Sequence, residues 1–253
     1  EAVDTGARDV IAAGGDGTVN EVINGLRGAF DEVTMSVLPM GTGNDSARTL
    51  GMPQEPSIAL DRLEDGLPVH EVDLLFLDDG GEGRFLLNHM NAGYAHRVNE
   101  GVTSEVKRRL GPLAYVKNLA EPLSDMQSYE TRIEWDDGTT DVVDALNILA
   151  VNGRTIAGGF EVAPGSSMED GMMRVIILRV GSVVAITGAA ARLLVGAHFQ
   201  SDLVISRRTT SLRIDTQPPM TFSVDGEECG HGEAILTVRP GRLKVRVGPD
   251  YVR

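Results

Sequence analysis

A chain of 253 residues, 42% hydrophobic and 24% charged, can fill one large core or two smaller ones, which excludes a disordered chain. A formal net charge of -14 argues against nucleic acid as a partner and disfavours tight docking on anionic lipid, because both draw on basic surface. Cys229 is the only cysteine, so no internal disulfide forms, and a reducing cytoplasm is the expected compartment.

The first elements are set by hydrophobic spacing and glycine punctuation. Residues 10–13 (VIAA) read as a buried strand, Gly14 to Gly17 as a tight turn, and the following TVNEVINGL as a helix, since Val19, Val22, Ile23 and Leu26 recur at helical spacing. A second unit repeats the plan: a strand over 35–40, the turn Gly41-Thr42-Gly43-Asn44-Asp45, then a short helix that Asp45 or Ser46 can cap. Two such units imply a parallel sheet. A further helix is expected over 56–63, after which Gly66 and Pro68 interrupt the chain and its composition changes.

Beyond that point strand-like runs dominate, at 72–77, 85–90, 131–135, 145–151, 173–178, 212–214, 220–224, 235–238 and 243–247. Helices are expected over 112–125 and 183–199. The second of these is apolar, but its core at 183–197 is too short to span a bilayer, is broken by Gly188 and carries Arg192. The expected architecture is α/β: an open parallel sheet over 1–68, then a β-rich sandwich over 69–253, with a cleft between them. Segments 78–83 and 136–141 read as hairpin or surface loops.

The strongest chemical signal is Gly14-Gly15-Asp16-Gly17-Thr18 between a buried strand and a helix. Glycines let backbone N–H groups approach phosphate, the positive helix end favours the anion, Thr18 can donate its hydroxyl, and Asp16 can hold Mg²⁺ directly or through water. A lone glycine turn means little. The second turn, however, brings Thr42, Asn44 and Asp45 to the same carboxyl edge of the sheet, where open α/β sheets bind ligands. Neither G-x-x-x-x-G-K-[ST] nor G-x-G-x-x-G is present, so the phosphate loop is of another kind. The five histidines lack zinc-ligand spacing, and no serine lies in a nucleophile elbow.

GGDGTVNEVINGL followed by LPMGTGND resembles the diacylglycerol kinase catalytic-domain family, which includes sphingosine kinases and bacterial YegS-like lipid kinases. Asn91-Ala92-Gly93-Tyr94, Asn152-Gly153-Arg154 leading to Gly158-Gly159, Ala163-Pro164, Asp170-Gly171 and Val224-Asp225-Gly226-Glu227 extend the resemblance over nearly the whole chain. The resemblance implies transfer of phosphate from ATP, with Mg²⁺, to a hydroxyl of a diacylglycerol-like lipid. It implies that Gly14, Gly15, Asp16, Gly17, Thr18, Asn20, Glu21 and Thr42 line the nucleotide site, that Asp16 organises the catalytic magnesium and that Glu227 is the base. It further implies a structural magnesium at Ser167, Asp170 and Met172, with Asp73 a weaker candidate for the cleft.

Taken without the resemblance, Glu227 is better explained as an ordinary hairpin acid, and Glu169-Asp170-Gly171 equally well as a turn that binds nothing. The family begins with a strand and an Asn-Pro turn that helps hold the nucleotide. This sequence opens on Glu1, after that unit, and omission of the segment is the expected reason. The lipid partner is expected at the inner face of the membrane through peripheral contact only, with a homodimer as an allowed assembly. Two rivals remain: a soluble-substrate kinase such as an NAD kinase, which explains only the first motif, and a catalytically silent ATP-binding or regulatory domain.

Overall fold

The computed structural model describes residues 3–93, 127–182, 202–225 and 227–253. The helices expected over 112–125 and 183–199, the basic triplet 107–109, Tyr94, His96, His198 and Gly226 lie outside the described residues.

The two glycine-punctuated units fold as their spacing dictates. β1 (Asp9–Gly14) runs parallel to β2 (Thr34–Pro39), with Val10 opposite Met35 and Ala12 opposite Val37. α1 (Asp16–Gly25) connects them, burying Val19 and Ile23, while α2 (Asp45–Thr49) and α3 (Pro56–Asp65) follow β2. Gly15 stands at the N-cap of α1 with no side chain bonded to the helix end. The first-turn amides therefore face the loop, where an anion can meet them.

The rest is strand-rich: β3 (Val69–Asp78), β4 (Arg84–Leu86), β5 (His89–Gly93), β6 (Tyr129–Trp135), β7 (Thr140–Val151), β8 (Thr155–Ile156), β9 (Phe160–Glu161), β10 (Met173–Arg179), β11 (Val204–Thr209), β12 (Ser211–Gln217), β13 (Thr221–Val224), β14 (Glu227–His231) and β15 (Glu233–Arg246). Among the described residues thirteen strands join one curled sheet along the path β1-β2-β15-β12-β6-β7-β5-β13-β14, with β3–β4 branching from β15 and β10–β11 from β7. β8 and β9 pair separately.

β15 binds the halves together. Its first part pairs with β12 and its last part lies parallel to β2, with Lys244 opposite Thr34, while β3 runs antiparallel along most of its length. Pro240-Gly241 reads as a turn between two strands, yet the chain passes through as one strand with a register shift between Arg239 and Leu243. Proline has no N–H for the ladder, and the Gly241 N–H leaves it to bond the Asp73 carboxylate at 2.8 Å.

The run expected over 85–90 is likewise two strands, β4 and β5, interrupted at Leu87 and Asn88. Asn88 is buried and spends its side chain on Thr155 and Thr49. Among the described residues two large apolar cores form, with a small third cluster around Leu149, Val162 and Ile176. One large core packs α1, β1, β2 and α3 with Val72, Leu74, Leu243 and Val245, and the other lies inside the β-rich part around Leu75, Met90, Ile148, Phe222 and Leu236.

Candidate active site

The two glycine turns meet backbone to backbone at the carboxyl edge of β1 and β2. A Cβ added to Gly41 would stand 2.5 Å from the Gly15 Cα and 2.8 Å from Asn44 Oδ1. Gly41 must be glycine for the turns to close on each other, and a Cβ on Gly15 would stand a tight 3.3 Å from the Gly41 Cα. Asn44, at φ 53°, completes the second turn by accepting from Gly41 N–H at 2.9 Å and donating to Gly41 C=O at 2.9 Å.

Asp16 joins the turns directly. Its Oδ1 accepts from Ser46 N–H at 2.8 Å and its Oδ2 from Asp45 N–H at 3.1 Å. The cap of α2 thus comes from the first turn, and neither Asp45 nor Ser46 caps its own helix as expected. The Asp45 carboxylate instead accepts from Gly158 N–H at 2.9 Å and Gly159 N–H at 2.8 Å, which ties α2 to the β-rich part. Burial raises its carboxyl above the ordinary range, against the two amides that stabilise its charge.

Glu227 arrives from the opposite side. The hairpin of β13 and β14 places its side chain, 51% exposed, where a Cβ on Gly17 would lie 3.4 Å from Oε1, and Arg84 Nη1 stands 3.4 Å from Oε2. An exposed carboxylate beside the uncapped end of α1 can accept a proton from a group held between them. Thr18, Glu21 and Thr42 lie exposed on the rim, whereas Asn20 is buried, donating to the Phe85 C=O at 3.0 Å and to Asp225 Oδ2 at 3.3 Å.

Two residues here escaped the sequence analysis as site components. The Asp225 side chain is only 2% exposed, and burial, then the neighbouring Asp16 and Asp45, push its carboxyl well above the ordinary range. His89, 17% exposed, is pushed down to about 4 by burial. The signal for Asp225 was an acid directly after the buried run Phe222-Ser223-Val224. His89 carried no signal beyond its place in an apolar segment.

The other predicted cation site is arranged differently. Asp170 Oδ1 accepts from Met172 N–H at 2.9 Å, its Oδ2 is held by Arg208 at 2.6 Å, and Ser167 Oγ accepts from Glu169 N–H at 3.1 Å. Asp73 is buried beneath that turn, accepting from Gly171 and Gly241 N–H, and does not line a cleft. Among the described residues no three acidic, His or Cys side chains converge on a preformed metal site. Asp16 still suits magnesium, which keeps most of its waters and takes one or two carboxylates beside phosphate oxygens. The Ser167–Met172 turn fits a cation poorly, because the Asp170 carboxylate is already neutralised by a guanidinium.

Glycine-cradled amides, clustered carboxylates and a β-rich partner define a phosphate-handling α/β protein with a sandwich domain. Residues 1–76 match the diacylglycerol kinase catalytic domain, and residues 88–247 match the YegS C-terminal NAD kinase beta sandwich-like domain. The chain is 32% identical over 222 residues to a diacylglycerol kinase of Bacillus subtilis (strain 168), covering 87% of this chain and 71% of that one. It is 29% identical over 252 residues to a Pseudomonas fluorescens protein named "probable lipid kinase YegS-like", covering 99% and 81%. The crystal structure of a diacylglycerol kinase from Bacillus anthracis str. Sterne shares the fold, with a TM-score of 0.76 at 24% identity over 97% of this chain and 79% of that one. The chain belongs to the diacylglycerol kinase and YegS-like lipid kinase family.

Proposed function

We propose that the protein transfers the terminal phosphoryl group of ATP, with Mg²⁺, to a hydroxyl of a diacylglycerol-like lipid. The observation that carries this function is the meeting of three segments: the turn Gly14–Thr18, the turn Gly41–Asp45 and the hairpin bearing Glu227, whose carboxylate abuts Gly17. The family supplies the lipid acceptor as an expectation.

The backbone amides at the start of α1 would take the phosphates, with Thr18 and Thr42 on the rim adding hydroxyls. Asp16 would hold magnesium, whose charge offsets that of the phosphates. Glu227 would accept the proton of the lipid hydroxyl as its oxygen bonds to the terminal phosphorus and the bridging P–O bond breaks, leaving ADP. Positioning and charge neutralisation dominate such transfers, so the residues that set geometry matter as much as the base.

In this scheme residues 1–68 bind nucleotide and 69–253 receive the lipid, although the end of β15 belongs to the first sheet by its pairing with β2. No described helix is long and apolar enough to cross a membrane. The lipid would be met by peripheral contact, at the inner face of the membrane in a bacterial cell. A second cation at Ser167, Asp170 and Met172 would have to displace Arg208.

The test is transfer of radiolabelled phosphate from ATP and Mg²⁺ to a panel of lipids in mixed micelles: diacylglycerol, phosphatidylglycerol, a sphingoid base and ceramide. A labelled lipid with the wild type and none with Glu227→Ala is the expected result. Labelling of NAD or another soluble alcohol with no lipid labelled would replace the lipid with a soluble acceptor, and ATP binding without any transfer would make the protein a silent ATP-binding domain.

A further inference from the structure

Behind Glu227 the floor of the site holds two side chains that the transfer scheme leaves unused. Asp225 sits at φ 49° after β13, with Asn20 on its Oδ2 and no hydrogen-bond partner for its buried Oδ1. A buried carboxylate oxygen without a partner is strongly unfavourable. His89, on β5 beside β13, turns two groups to this carboxyl: its backbone N–H and, 3.5 Å from Oδ1, its Nδ1.

The direction of that contact is set by Asn88. Its Oδ1 accepts from the Thr49 hydroxyl at 3.2 Å and its Nδ2 donates to the Thr155 C=O at 2.8 Å, so the amide cannot be turned over without facing oxygen to oxygen. That same Nδ2 faces His89 Nδ1 at 3.3 Å. An amide nitrogen only donates, so Nδ1 must accept, and the imidazole proton belongs on Nε2. An accepting Nδ1 and an ionised Oδ1 would repel each other.

We propose that Asp225 is protonated and turns its hydroxyl to His89 Nδ1, sharing that lone pair with the Asn88 amide, so that a neutral carboxyl–imidazole pair positions the hairpin bearing Glu227. Burial and the charges of Asp16 from α1 and Asp45 from α2 favour the neutral form over the opposing hydrogen bonds from Asn20 and the His89 backbone N–H, and Arg84 on β4 pairs with Glu227 on β14 rather than with Asp225. Holding the proton there removes one negative charge from the place where a triphosphate must approach. It also gives the hairpin a link to β5 through side chains. His89 and Asp225 are positioning residues in this scheme; neither touches the reacting atoms.

The structural half of the claim stands apart from the kinase function, while its kinetic consequence rests on it. Nitrogen-15 NMR of histidine-labelled protein, with the His89 signals assigned by their loss in His89→Gln, reads the tautomer directly. A neutral ring with Nε2 protonated and Nδ1 bare, unchanged between about pH 5.5 and pH 8, is expected. An imidazolium or a protonated Nδ1 near pH 7 overturns the pair.

In the lipid-transfer assay His89→Leu, which offers no acceptor, should lower kcat about tenfold with KM for ATP within about twofold, and His89→Gln, whose side-chain oxygen can accept, should restore most of it. Equal loss in both variants overturns the acceptor role. An inactive wild type would sink only the kinase function, since the tautomer still decides the pair.

Discussion

Gly15-Asp16-Gly17 after β1 and Asp170-Gly171 before β10 look alike in sequence, and the molecule treats them differently. Around Asp170 the charge is settled locally: Arg208 holds its carboxylate, while His70 and Arg253 hold that of the adjacent Glu169. Around Asp16 the neighbours are other carboxylates, Asp45, Asp225 and Glu227, and the bonds to Asp16 come from two backbone amides. An acid-glycine turn becomes a candidate for binding when its surroundings leave negative charge unneutralised beside free helix-end amides. Where arginine has already answered the charge, the same residues make a structural fastener.

The largest effect that could break this contrast is expected at the first turn. Asp16→Asn keeps an oxygen for one of the two α2 amides but loses the charge, and should lower kcat/KM in the lipid-transfer assay by about 100- to 1000-fold. A variant within tenfold of wild type, on the order of 1.4 kcal/mol, would contradict the role given to Asp16. Next comes the contact between turns. Gly41→Ala would drive its Cβ into Gly15 and Asn44, so the turns must part. KM for ATP should rise about tenfold and stability fall by about 1–3 kcal/mol in a denaturant titration.

The contrast also has a pH signature. Asp225 titrates well above its ordinary value of 3.8 when folded, so the folded chain keeps a proton that the unfolded chain releases. Stability linked to this group is complete below the unfolded value and is lost as pH rises through the folded one. Asp225→Asn has no such loss, so its Tm should match wild type near about pH 4 and exceed it near about pH 8 by a few degrees, at about 2–4 °C per kcal/mol. A gap that shrinks as pH rises would refute the assignment. The smallest effect belongs to the second turn: Arg208→Gln should cost about 0.2–1 kcal/mol, and Mg²⁺ should raise the Tm of that variant but not of the wild type. Equal Mg²⁺ responses would mean that Arg208 does not stand in for a cation.

Strand, glycine turn and helix were legible in both opening units because apolar spacing and glycine placement agree there. The β-rich class was legible too, but β11 (VISRRT) and β14 (EECGH) were not, since polar edge segments bond through the backbone and lack an apolar alternation. β15 was read as two strands because Pro240-Gly241 signals a turn unless a distant carboxylate, here Asp73, takes the displaced amide. At the site, Asp16 stood out as a candidate through its glycine turn, and Glu227 only through the family resemblance. The commitments of Asp45 to Gly158 and Gly159, and of Asn20 to Phe85, were not, because both depend on segments more than sixty residues away in sequence.

The most direct test of the central claim separates phosphate binding at the glycine turns from proton acceptance at the hairpin. Glu227→Gln should bind ATP with Mg²⁺ as the wild type does by calorimetry, yet form no labelled lipid in a single turnover. Lipid formed at the wild-type rate would remove Glu227 from the chemistry, and loss of ATP binding in this variant would place the hairpin in the nucleotide site instead of at the acceptor.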